Sequence, residues 1–137
     1  MPRVFRVMKK SDDGLPVVEQ SAGGLGVRPG NDVDVDDQHN VVVNGKGMSV
    51  SPSWRDIPRF RIPKRLHEKF PGARGSDHCF CFRMGEGPFQ ESEFAPGLDL
   101  VPDSPTHGCI APRQYVSLGQ YVSDLADTRP NWQEDEN

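Results

Sequence analysis

The chain has 137 residues, of which 34% are hydrophobic, 14 are glycine and 13 are proline. That length is enough for one domain burying roughly 70% of the surface its unfolded form exposes, and the composition predicts short strands joined by many loops. No apolar run approaches the ~20 residues of a membrane helix. The segment 1–10 is basic, with too short an apolar run for a secretory signal. An odd number of cysteines, Cys79, Cys81 and Cys109, argues for reduced thiols. These features predict a protein that works in a cytoplasm. The net charge of −4 is unevenly spread, with 13 Lys/Arg against 9 Asp/Glu in residues 1–74 and 3 against 11 in residues 75–137.

Val4-Phe5-Arg6-Val7-Met8 reads as a first strand, with Val4, Arg6 and Met8 on one face and Phe5 and Val7 on the other. Arg6 therefore stands among apolar neighbours. It either snorkels to water or lies on the floor of a cleft, where its planar fork suits a phosphate or carboxylate. Asp12-Asp13-Gly14 is a turn, and Val17-Val18 is expected to open a short second strand. The glycine-rich stretch from Gly23 to Gly30 lacks the Gly-Lys-Ser/Thr ending of a phosphate loop. Asp32 to Asp37 fails as a calcium loop, because its sixth position is Asp37 instead of glycine and its twelfth is Val43 instead of glutamate.

Three valines, Val41 to Val43, lead through Gly45 and Gly47 into Met48-Ser49-Val50-Ser51. Glycine there marks a bulge or a close approach, and Ser49 and Ser51 point the same way on an extended chain. Pro58 and Pro63 confine the next segment to an edge or loop, and Pro63 suits the start of a short helix carrying Leu66 and Phe70. Arg55, Arg59, Arg61, Lys64, Arg65, Lys69 and Arg74 form a basic cluster, either a solvated face or a surface for nucleic acid. His78 to Phe82 is a strand with both thiols on one face. Zinc held by Cys79, Cys81, His107 and Cys109 is disfavoured, since strand cysteines are more often core residues, and no metal is expected.

Glu91 and Glu93 lie two apart, on one face of an extended segment. They are either solvated or, in a closed cleft, a like-charged pair with one raised pKa. Strands follow at Leu98 to Val101 and Thr106 to Pro112. A final helix is capped by Ser117 with Gln120 and carries Leu118, Tyr121, Val122 and Leu125 on one stripe. Arg129-Pro130 ends it, Trp132 is expected to fold back on the core, and residues 133–137 are expected to fray as an acidic tail, leaving a domain of residues 1–132.

Arg6 on the first strand, Ser49 on a middle strand and Glu91-Ser92-Glu93 further on resemble the arginine, serine-strand and Glu-x-Glu pattern of ADP-ribosyltransferase toxins. Val4-Phe5-Arg6-Val7, Gly47-Met48-Ser49-Val50, Arg61-Ile62-Pro63 and Thr106 to Pro112, with the closing helix and Trp132, are similar to a small type VI secretion effector family related to those enzymes. The resemblance implies an α+β fold, a split β-sandwich of two small antiparallel sheets with short helices and a C-terminal helix. It implies NAD as the substrate, held by Arg6, Gly47, Met48, Ser49 and Ser51, with Glu93, Glu91, Ser49 and His107 as catalytic candidates. Should the two glutamates face solvent, His107 becomes the better candidate. A toxin delivered into another cell also implies a neutralising immunity or antitoxin protein, placed over Arg55 to Arg74, and a target macromolecule. The alternatives are an inert nucleotide- or protein-binding module and a phosphate-handling RNA enzyme of related fold.

Overall fold

The computed structural model describes residues 1–136. It is an α+β protein with two antiparallel sheets and one helix near the C-terminus. The first sheet has β1 (Val4–Lys9) beside β3 (Cys79–Met84), with β7 (Gln133–Glu134) added outside β3. The second runs in the order β2 (Met48–Val50), β6 (His107–Pro112), β5 (Leu98–Ser104) and β4 (Ser92–Ala95). The sheets share a core and are also linked through the backbone. Phe5 and Ser51 exchange backbone hydrogen bonds of 2.7 and 3.0 Å, so the chain leaving β2 is tied directly to β1.

The strands read as they do because β1 is covered on both faces. Val4 and Met8 join Phe82 and Met84 in the main core, which also takes Met48, Val50, Leu98, Leu100 and Ile110 from the second sheet and Tyr121 and Leu125 from the helix. Phe5 and Val7 face a second core of Trp54, Ile57, Ile62, Phe70 and Cys81. Trp54 and Phe70 pack there with ring centroids 4.4 Å apart. A strand buried on both sides carries apolar residues at consecutive positions, and the near-continuous apolar run of β1 has that cause.

Helix α1 (Leu118–Asp127) starts where its cap predicts, with the Ser117 hydroxyl accepting a hydrogen bond from the Gln120 backbone N–H. Tyr121 docks it on the second sheet. Its hydroxyl donates to the Ile110 carbonyl and accepts from the Met48 N–H, joining helix, β6 and β2. Gly47 lies in the same contact. A Cβ there would stand 2.1 Å from the Ile110 oxygen and 2.8 Å from the Tyr121 hydroxyl. Trp132 folds back as expected, only 2% exposed, its indole N–H donating to Thr128 Oγ1.

Three expectations change. Val17-Val18 forms no strand; the Val17 N–H bonds Lys9 and its carbonyl bonds Leu25, but Val18 is exposed, so too few residues run in register. The helix after Pro63 shortens to a 3-10 turn, Lys64–Leu66. Residues 133–136 do not fray. Gln133 and Glu134 pair with Arg83 and Phe82 as β7, and the acids that follow find cations, Asp135 on Arg83 at 3.0 Å and Glu136 on Arg65 at 2.6 Å. Charge pairing between segments far apart in sequence has no local signature, so periodicity misses it. Asn137 lies outside the described residues.

Gly47→Ala is expected to destabilise the fold by roughly 1–3 kcal/mol through overpacking. Gly119→Ala, in the first turn of α1 where a Cβ would meet only the Ser117 hydroxyl at 4.0 Å, is expected to be neutral or to stabilise by up to about 1 kcal/mol. Urea unfolding of the two variants measures the difference.

Candidate functional site

Where β1 meets the chain leaving β2, a cleft of about 230 Å³ opens between the loop carrying Ala22, Arg28 and Asp32 and the loop carrying Pro58, Phe60 and Arg61. Arg6, Ser49, Ser51 and His107 line it as well. The cleft therefore gathers four of the polar residues singled out in the sequence.

Arg6 is only 8% exposed, and its guanidinium is held entirely by backbone carbonyls. Nε and Nη2 donate to Gly24 at 3.2 and 3.0 Å, Nη1 to Ser49 at 2.8 Å, and Nη2 reaches Ala22 at 3.5 Å. These bonds occupy most of the five N–H groups of the fork. No carboxylate among the described residues touches it. Burial lowers its pKa to about 10, the nearby Arg61 charge pushes the same way and Asp32 opposes both, so the group stays charged at neutral pH. The result is a buried positive charge satisfied in hydrogen bonds but without a counter-ion in contact.

Two further guanidinium groups face the cleft. Arg28 is clasped by Asp32, whose carboxylate accepts from Nε, Nη2 and the Arg28 backbone N–H at 3.2, 3.1 and 2.7 Å. Burial alone would raise the Asp32 pKa, but the Arg28 bonds and the Arg28 and Arg6 charges outweigh it and hold it below the ordinary carboxylate value. Arg61 has no carboxylate partner among the described residues and lies 5.3 Å from the centre of the Phe60 ring, itself 53% exposed. Among the described residues, three guanidinium groups thus share the cleft with one carboxylate. Its field attracts anions.

The hydroxyl face is made by Ser49 and Ser51, with neither hydroxyl engaged by a partner among the described residues. His107 stands at the start of β6 with Nδ1 2.9 Å from both oxygens of Asp103. Cys109 lies opposite Ser49 in the β2–β6 register, and burial raises its thiol pKa.

Other candidates lie elsewhere. Met48 is 1% exposed in the main core, and Gly47 packs on Ile110 and Tyr121, so both support the site from beneath without lining it. Glu93 is on β4, at the opposite edge of the second sheet from Ser49, about 14 Å away by three inter-strand spacings. Its side chain is 67% exposed and 3.6 Å from Arg113. Glu91 is exposed just ahead of β4. The two glutamates therefore do not share the arginine cleft. Period-two spacing put them on one face but carries no information on which edge of the sheet that face belongs to. Cys79 and Cys81 are on β3, packed with the second core, so they do not assemble with His107 and Cys109 on β6.

Arg28, Asp32, Arg61 and Asp103 were not distinguished by the sequence. Arg61 appeared only in the basic cluster and in the Arg61-Ile62-Pro63 match, Asp32 only in the rejected calcium loop, and the Arg28–Asp32 clasp was not anticipated. Comparisons with protein-family models, curated proteins and solved structures find no match to this chain.

Arg6→Ala is expected to cost at least roughly 1–3 kcal/mol, because it orphans buried carbonyls, whereas Arg61→Gln should stay within about 0.5 kcal/mol of the parent. Denaturant midpoints test both. Acid should loosen the Arg28–Asp32 clasp in a defined direction. Its contribution is full above the ordinary Asp pKa and is lost as pH falls through the lowered folded value, so Asp32→Asn should flatten the acid limb of a stability–pH profile.

Proposed function

We propose that this chain is a toxin domain of ADP-ribosyltransferase type whose cleft takes NAD. The observation that supports this best is the buried Arg6 charge without a carboxylate in contact, next to an Arg61 with no carboxylate partner among the described residues. Such a pair suits a pyrophosphate, since charge-assisted hydrogen bonds to an anion are about twice as strong as neutral ones. In this reading Arg61 makes the direct contact and Arg6, engaged with carbonyls, supplies field and a rigid floor. The exposed Phe60 ring offers a stacking face for a base. The Ser49 and Ser51 hydroxyls are free to fix the ribose and nicotinamide end. Two antiparallel sheets meeting at the cleft are compatible with the split sandwich that the sequence resemblance implies.

The chemistry separates nicotinamide from C1 of its ribose and joins that carbon to an acceptor nucleophile. The departing group leaves an oxocarbenium-like sugar, stabilised by fixed negative charge. Asp103 with His107 is the polar pair best placed for this work. When Nδ1–H donates to Asp103, Nε2 is left as an acceptor, able to take the proton that the nucleophile loses. Glu93 has no part in this scheme. Its distance from the cleft favours a second reading, a nucleotide-binding module that holds its ligand without transferring it. An acidic neutralising protein would fit the segment Arg55 to Arg74, where Lys64 and Arg74 lack acidic partners among the described residues.

Nicotinamide release from NAD, with cell lysate as acceptor, tests the proposal. Arg61→Gln is expected to raise KM about tenfold or more, and His107→Ala to lower kcat about 10²–10⁴-fold. Ser49→Ala should lower turnover, and Glu93→Ala should leave it unchanged. Loss of release on changing Glu93 would overturn the role given to His107. NAD binding by calorimetry without any release would leave the module reading.

A further inference from the structure

The hairpin of β5 and β6 brings together three donors of different chemistry. One ring nitrogen of His107, the Cys109 sulfur and a carboxylate oxygen of Asp103 all lie within 4.8 Å of one another. We propose that Asp103, His107 and Cys109 form a binding site for a single zinc-class divalent cation at the mouth of the arginine cleft. The site does not require that the cleft take NAD, but a bound ion would occupy the Asp103 and His107 groups given the charge-stabilising and proton-accepting roles above, so the loaded chain could not use them in that way.

Two local features bring the donors together. His107 and Cys109 are two apart on one strand, so their side chains project from the same face of the sheet. Asp103 is the extra residue of a bulge: Pro102 pairs with Gly108 and Ser104 with His107, leaving Asp103 unpaired between them. A bulge re-aims a side chain, and here the carboxylate turns to His107 at 2.9 Å. One hairpin therefore supplies all three ligands, so little chain has to be ordered when an ion binds.

The donor set selects the ion. Imidazole nitrogen with thiolate sulfur suits zinc or cobalt and is foreign to magnesium and calcium, which take oxygen. Metal bonds of about 2.0–2.3 Å place tetrahedral donors roughly 3.5 Å apart, closer than the present limit of separation. The half-exposed His107 and exposed Asp103 can turn to close that gap, since their side chains are 42% and 59% accessible. Binding breaks the Cys109 S–H bond, the proton leaves to solvent, and the ion takes the thiolate, one neutral imidazole nitrogen and one carboxylate oxygen, with water at the fourth position. Because Cys109 faces Ser49 across the strand pair, the loaded ion would sit beside the serine that lines the cleft.

Cobalt(II) titration of the purified reduced chain tests this directly. One equivalent should produce visible bands of tetrahedral cobalt together with a thiolate-to-metal charge-transfer band, and both should vanish on adding zinc. Cys109→Ser should abolish the charge-transfer band. His107→Ala and Asp103→Asn should weaken binding tenfold or more. Cys79→Ser should change nothing. Circular dichroism checks that each variant is folded; a variant that is not is replaced by Cys109→Ala, His107→Gln or Asp103→Ala. Absence of a charge-transfer band at millimolar cobalt overturns the site, and so does a band that survives in the Cys109 variant or is lost in Cys79→Ser.

Discussion

The Arg6 guanidinium ties three parts of the chain together through one side chain. It stands on β1, reaches the carbonyls of Ala22 and Gly24 on the following loop, and takes the Ser49 carbonyl on β2. The first sheet, the second sheet and one wall of the cleft are thereby referred to a single planar group. Lysine has the charge but not the planar fork that meets these carbonyls at once. The arrangement also explains why the cleft exists. A buried cation saturated by carbonyls on one side cannot be covered by apolar packing on the other, so the wall beside it stays open and polar.

Around that fixed point the electrostatics are divided between closed and open pairs. Arg28 is closed by Asp32, Arg83 by Asp135, and Arg113 by Asp99 with Glu93 nearby. Arg61, like Arg6, lacks an acid partner among the described residues, and lies against the Phe60 ring. The basic segment that looked like a free surface in the sequence is partly neutralised, since Arg65 pairs with Glu136 and the Lys69 ammonium donates to the Glu136 carbonyl. What stays available for an anion is accordingly smaller and better placed than the charge count suggests.

Legibility in the sequence followed how local each cause was. The capped helix, the strands at Val4 to Met8 and Met48 to Val50, and the inward course of Trp132 all rest on spacing within a few residues, and they stand in the structure. Arg6, Ser49 and His107 were singled out one by one, and the fold brings them to one cleft. Glu91 and Glu93 show the limit: alternation assigns a face but not a strand order, and β4 lies at the far edge. Asp103 escaped notice because only a register shift near the hairpin end aims it. The pairing of residues 133–136 escaped for a related reason, because its partners lie fifty or more residues away.

That last pairing has a consequence for how the molecule is made. β3 is flanked by β1, among the earliest residues of this sequence, and by β7, among its latest, and Lys10 bonds Glu134 across 124 positions. During synthesis the first sheet can be half built early but its outer edge stays unpaired until residues 133–136 clear the ribosome. Until then β3 presents an open edge that chaperones or another strand can engage. Completion of the sheet must wait for a strand made some fifty residues after β3, and non-local pairing of this kind slows folding.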